Sequence, residues 1–94
     1  MSAERALLAA FTVRLGPLVV IDHQATPWRS AIFSGERHLF RIEAGEAADL
    51  CAFAHDIAEA DITLPRGFVA DISMVETPDG SGRRIDIEAL TIDA

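Results

Sequence analysis

Four side chains in one short stretch, Arg29, Arg37, His38 and Arg41, are the densest set of groups able to hold an anion. Arginine meets a carboxylate or phosphate through a planar fork of N–H donors, and Ser30 and Ser34 add hydroxyl donors beside it. These residues form the expected site for a small anionic ligand or an acidic partner segment. A plainer reading competes with it. The same arginines can pair with Glu36 and Glu43 across two strands, as opposite charges ordinarily do in a sheet. His38 reads more plainly as a core histidine than as a ligand.

Two other constellations carry less. Cys51 and His55 are four residues apart on an expected helix, so their side chains can meet. Zinc needs three or four donors, and no CxxC or HxxxH spacing recruits His23 or His38 to complete a set. Cys51 lies on the apolar side of that helix, where it acts as a small hydrophobe. No metal or other cofactor is therefore expected. Asp22-His23 sets an acid beside a base, yet neighbours on a strand point to opposite faces, and no GxSxG stretch supplies a nucleophile. The stretches SGER, LPRG and PDGSG match neither GxxxxGK[ST] nor GxGxxG and read as turns. No catalytic activity is expected.

Composition narrows the classes further. The net charge is −7, and it is unevenly spread. Residues 1–42 hold five arginines against three carboxylates, whereas residues 43–94 hold three against twelve. So acidic a chain is a poor partner for nucleic acid, whose phosphates need a basic surface. No apolar run approaches the roughly 18 residues needed to cross a membrane. The start, with Glu4 inside its apolar patch, does not read as a signal peptide. A single cysteine forms no internal disulfide, which makes a reducing cytoplasm the expected compartment. Lys, Asn and Tyr, whose codons are AT-rich, are all absent, which points to a GC-rich bacterial genome.

The elements that must position these residues centre on a hairpin over residues 28–43, closed by a two-residue turn at Gly35-Glu36. That turn pairs Phe33 with His38, Ala31 with Phe40 and Arg29 with Ile42, giving one core face. Trp28, Ile32 and Leu39 then share the other face with Arg37 and Arg41. Residues 2–15 read as a helix, with Ser2 as N-cap, a stripe of Leu7, Leu8, Phe11 and Leu15, and a stop at Gly16-Pro17. A strand over residues 11–15 is the alternative. Leu18-Val19-Val20-Ile21 reads as a buried strand ending in a polar loop over residues 22–27. Residues 45–60 read as an amphipathic helix whose apolar face carries Leu50, Phe53 and Ile57.

Two more strands follow. The first alternates Ile72 and Met74 with Asp71, Ser73 and Val75, and a turn-rich loop over residues 77–82 leads to the second. In that last strand the apolar parity passes from Ile85 and Ile87 to Leu90 and Ile92, which predicts a bulge near Ala89. The expectation is one α+β domain of order α-β-β-β-α-β-β, with an antiparallel-rich five-stranded sheet and helices packed against it. With both helices on one side, the bare sheet face displays Trp28, Ile32, Leu39, Val69 and Val75, of which the first three are the expected interface. A homodimer, or contact with a protein partner, is the expected role: a non-catalytic interaction or accessory module, with a small anionic-ligand binder or minor enzyme using Arg29, Arg37, His38 and Arg41 as the alternative.

Overall fold

The computed structural model of the chain describes residues 2–77 and 83–93. Its first element is helix α1 (Ala3–Leu15). The Ser2 hydroxyl accepts from the Arg5 N–H at 3.2 Å, and Gly16 ends the helix at φ 81°. The Thr12 hydroxyl, inside the helix, donates back to the Leu8 carbonyl at 2.9 Å. The strand alternative for residues 11–15 is thereby removed. Ala6, Leu7, Phe11 and Leu15 are its buried side chains.

Strand β1 (Leu18–Arg29) is one continuous element where a strand, a loop and a second strand were expected. The sheet accordingly has four strands, not five. β1 pairs antiparallel with β2 (Ser34–Ala44) along its whole length, with one bulge that leaves Ile21 unpaired between Val20 and Asp22. β1 lies at an edge of the sheet, and this explains its sequence. Edge residues are solvated, so Asp22, Gln24 and Thr26 are polar without forming a loop, and an edge tolerates Pro27, which has no N–H to give.

The hairpin turn also differs. It closes between Ser30 and Phe33, where the Ser30 N–H donates to the Phe33 carbonyl at 2.8 Å. The Phe33 N–H donates to the Ser30 hydroxyl at 3.1 Å. Ala31 and Ile32 form the apex, and no residue there has positive φ. Gly35 is inside the strand, opposite Trp28 on one side and Ile92 on the other. Its glycine serves a close approach: a Cβ there would lie 1.8 Å from the Thr91 carbonyl oxygen.

His38 therefore meets Ala25, not Phe33. That displacement is an even number of residues, so the faces of β2 stand as expected. His38, Phe40 and Ile42 are buried, while Arg37, Leu39 and Arg41 face the other way. Phe33, expected in the core, is instead half exposed beside the turn.

Helix α2 (Leu50–Ala58) begins later than the expected residue 45, because Asp49 caps it by accepting from the Ala52 N–H at 3.0 Å. The preceding turn is tied down by Arg83, which donates to the carbonyls of Gly45 and Ala48. Leu50, Phe53 and Ile57 are buried, but Cys51, expected on the apolar side, is exposed. The chain ends with β3 (Phe68–Thr77) and β4 (Arg84–Ile92) in a sheet of order β1-β2-β4-β3, antiparallel throughout. From residue 78 on, the expected loop lies outside the described residues.

β4 contains no bulge. Ile85, Ile87, Ala89 and Thr91 all point to the core, and Leu90 and Ile92 to the other face. The irregularity is on β3, where Ala70 is unpaired between Val69 and Asp71 and turns Phe68 outward. Element order is thus α-β-β-α-β-β, and the α+β class holds. Phe11 of α1 makes edge-to-face contacts with Phe40 of the sheet and Phe53 of α2, so both helices cover the same sheet face. No helix among the described residues is long and apolar enough to cross a membrane.

Candidate functional site

Pairing β1 with β2 sets His23 opposite Phe40 and His38 opposite Ala25, on the face that α1 covers. Because both histidines point to one side, their rings stack at 5.3 Å between centroids, and His23 also stacks on Phe40 at 4.5 Å. Glu4, in the first turn of α1, reaches His23 with Oε1 2.5 Å from Nδ1. His23 Nε2 lies 3.0 Å from His38 Nδ1. His38 Nε2 lies 3.6 Å from Oε1 of Glu36, too far for a hydrogen bond, and has no other partner. Three elements thus assemble a row, Glu4–His23–His38–Glu36, across the junction of α1 with the sheet.

The row fixes its own tautomers. A carboxylate only accepts, so His23 carries its proton on Nδ1 toward Glu4. Its Nε2 is then an acceptor, and His38 donates from Nδ1. That leaves a lone pair on His38 Nε2, buried, facing a carboxylate. Burial holds His38 below the ordinary imidazole value, and His23 acts in the same sense, while Glu36 and Glu4 oppose it. An imidazole whose folded value is lowered binds fewer protons than in the unfolded chain over the pH range between the two values. The stability it preserves is fully present above about pH 6.5, the unfolded value, and declines as pH falls toward the folded one. Chemical denaturation in steps from about pH 8 to about pH 5 should show this decline, and His38→Gln should flatten it. An equal decline in the variant would place its cause elsewhere.

The residues expected to bind an anion are not brought together. Arg29 is exposed at the end of β1. Arg37 pairs with Glu88 at 3.3 Å, and Arg41 holds Asp86 through two N–H groups at 3.0 and 3.4 Å. Asp86 keeps Arg41 still more firmly charged than an ordinary arginine. These partners stand on β4, not within the hairpin; Glu43 pairs instead with Arg84 at 3.7 Å. His38 is on the opposite side of the sheet from Arg37 and Arg41. Asp22 and His23 likewise face opposite ways, and the hydroxyls of Ser30 and Ser34 are engaged at Phe33 and Asp93. Among the described residues no group of three or more His, Cys, Asp or Glu is arranged to hold a metal ion.

The expected interface residues also separate. Leu39 is on the face away from the helices and 41% exposed, and Ile32 is at the hairpin apex, 81% exposed. Trp28 is half-buried because its indole reaches over Gly35 and donates to the Thr91 carbonyl at 3.2 Å. Val75 stands on that face as expected, joined by Val19 and Phe68, all at least half exposed, whereas Val69 packs against the core on the other side. Between them run the three cross-strand ion pairs. Comparison of the chain with family models, curated proteins and solved structures gives no match.

Proposed function

We propose that this protein is a non-catalytic interaction module that pairs with a second copy of itself through the open face of its sheet. The observation behind the proposal is the one-sided packing. Both helices cover one face of a four-stranded sheet, and Leu39, Phe68 and Val75 stand exposed on the other. Exposed apolar side chains on one open sheet face, with ion pairs running between them, suit a protein–protein contact.

The charge pattern favours a second copy over an unlike partner. Arg37, Arg41 and Arg84 alternate with Glu88, Asp86 and Glu43, so the face holds both signs in rows. A two-fold contact brings a surface against itself and needs such self-complementarity. A face of one sign would repel its copy, all the more in a chain of net charge −7.

Light scattering at low and high salt tests the reading. The expected result is a dimer at both, since apolar contacts resist the salt that screens exposed charges. Leu39→Arg and Val75→Arg should each halve the mass and leave the circular dichroism spectrum unchanged. Arginine lowers the net negative charge, so dissociation cannot be laid to added acid repulsion. A wild-type monomer at both salt concentrations would defeat the proposal.

A further inference from the structure

The two imidazoles at the α1–sheet junction form three gaps that a proton can bridge: Glu4 to His23, His23 to His38, and His38 to Glu36. Two neutral imidazoles bring two N–H protons between them. One gap is therefore always empty, and the distances say which. The gaps measure 2.5, 3.0 and 3.6 Å in that order, so the open one lies between His38 and Glu36. His38 Nε2 is shut off from solvent and without a partner. An unpaired buried acceptor is costly, and facing it with a carboxylate makes the arrangement worse.

We propose that the Glu4–His23–His38–Glu36 row is a binding site for a single proton, shared by the two imidazoles, that senses pH where α1 meets the sheet. A proton suits the position, because Nε2 is shut off from solvent and, among the described residues, no set of three or more donors is arranged to hold a metal ion. Once protonated, Nε2–H faces the Glu36 carboxylate. A closure of about 0.8 Å brings the pair to the length of a charge-assisted bond. Glu36 has room to make it. Its side chain borders a groove of about 380 Å³ between Ala3, Pro65, Arg66, Thr91 and Asp93. The proton comes from solvent, and the filled row then has a donor in every gap and a carboxylate at both ends.

The groups around the row leave no rival for that proton among the elements that pack on it. From α1 comes Glu4, from β1 His23, and from β2 Glu36. Facing His38 are Ala25 on β1 and Ala89 on β4, and facing Glu36 is Thr91 on β4, none of which titrates. Arg66 and Asp93 stand farther out, across the groove. A second added proton would set two N–H groups against each other over the 3.0 Å between the rings. The pair accordingly titrates as a unit, taking up one proton in its first step. Burial holds His38 below the ordinary imidazole range, so its Nε2 takes up a proton only on acidification.

Nitrogen-15 spectra of the histidine rings in the full chain, followed from about pH 8 to about pH 5, test this. At the high end both His23 and His38 should be Nδ1–H tautomers. On acidification the two should respond together with one midpoint and a total uptake of one proton, while the exposed His55 serves as internal reference. Glu36→Gln supplies an amide N–H that can satisfy His38 Nε2 without any proton. It should weaken proton uptake about tenfold or more, as loss of an adjacent carboxylate does. Glu36→Ala should weaken it in the same direction, and both lie at a partly exposed position where folding is not at stake. Separate midpoints for the two rings, an Nε2–H tautomer of His38 at high pH, or a midpoint unmoved in both variants would each overturn the proposal.

Discussion

Gly35→Ala should strip the chain of much of its folding stability, a large loss for one added methyl group. The added Cβ would lie 1.8 Å from the Thr91 carbonyl oxygen and 2.8 Å from its carbon, with Ile92 Cα at 3.1 Å. All three are backbone atoms, so no side-chain rotation relieves the clash. Relief requires β4 to move off β2, and the two strands are paired from Gly35↔Ile92 to Glu43↔Arg84. The Trp28 indole, which crosses this position to reach the Thr91 carbonyl, would be displaced as well. A cost above about 4 kcal/mol belongs to the small class of mutations that force backbone apart. Against a domain stability of about 5–15 kcal/mol it removes much of the margin. Urea unfolding measures it, and Gly45→Ala is the control. A Cβ at Gly45 meets only the Pro17 carbonyl oxygen, at an ordinary 3.6 Å, and the backbone there has no positive φ. If Gly35→Ala were as mild as Gly45→Ala, Gly35 would be a turn glycine after all, and the hairpin register would be wrong.

That glycine also shows why parts of the fold are legible in the sequence and parts are not. A Gly-Glu pair between apolar runs carries the local chemistry of a turn, whereas Ala31-Ile32 carries none. The real turn is made by the Ser30 hydroxyl taking the Phe33 N–H. The reason for Gly35 lies in Thr91, far along the chain, and no local pattern reveals it. β1 reads as two pieces for a related cause: an edge strand has the polar composition of a loop, and Pro27 reads as an interruption until its place at the edge is known. By contrast, local signals find both helices: Ser2 and Gly16 bracket α1 beside its apolar stripe, and α2 is legible from its stripe alone, although its cap, Asp49, falls inside the span the sequence predicts. The buried face of β2 also survives the wrong turn, because an even displacement preserves parity. The histidine row had no such protection. Local pattern sets His23 in a loop and His38 opposite Phe33, so their meeting depends wholly on the register. Glu4, which completes it, comes from a helix whose docking the sequence does not specify. The partners of Arg37 and Arg41 were missed for the same reason, being on β4, which lies beside β2 only through the crossover from α2 and β3.

Phe11→Ala should cost about 3–5 kcal/mol, the usual range for emptying a buried aromatic site. Phe11 is wholly buried and is the one ring that touches both Phe40, at 5.3 Å between centroids, and Phe53, at 6.1 Å. Both contacts are close to perpendicular, the edge-to-face arrangement that adds to simple area burial. Removing the ring opens a cavity where α1, α2 and the sheet converge, and none of the three can close it without leaving the other two. In a domain of this size each kcal/mol lowers the melting temperature by roughly 4–8 °C, so the midpoint should fall by at least about 12 °C. Phe11→Leu, which keeps most of the volume, should lose far less. The consequence reaches past stability, because Glu4 is held against His23 only through the docking of α1. A variant that remains folded near pH 7.5 but lets α1 loosen should weaken the Glu4–His23 contact first. His23 would then no longer be confined to the Nδ1–H tautomer, and its ring nitrogens would show the mixture of an unrestrained imidazole. A Phe11→Ala protein with an unchanged His23 spectrum and a melting temperature within a few degrees of wild type would mean that α1 is not anchored through this ring, and that the row is positioned by the strands alone.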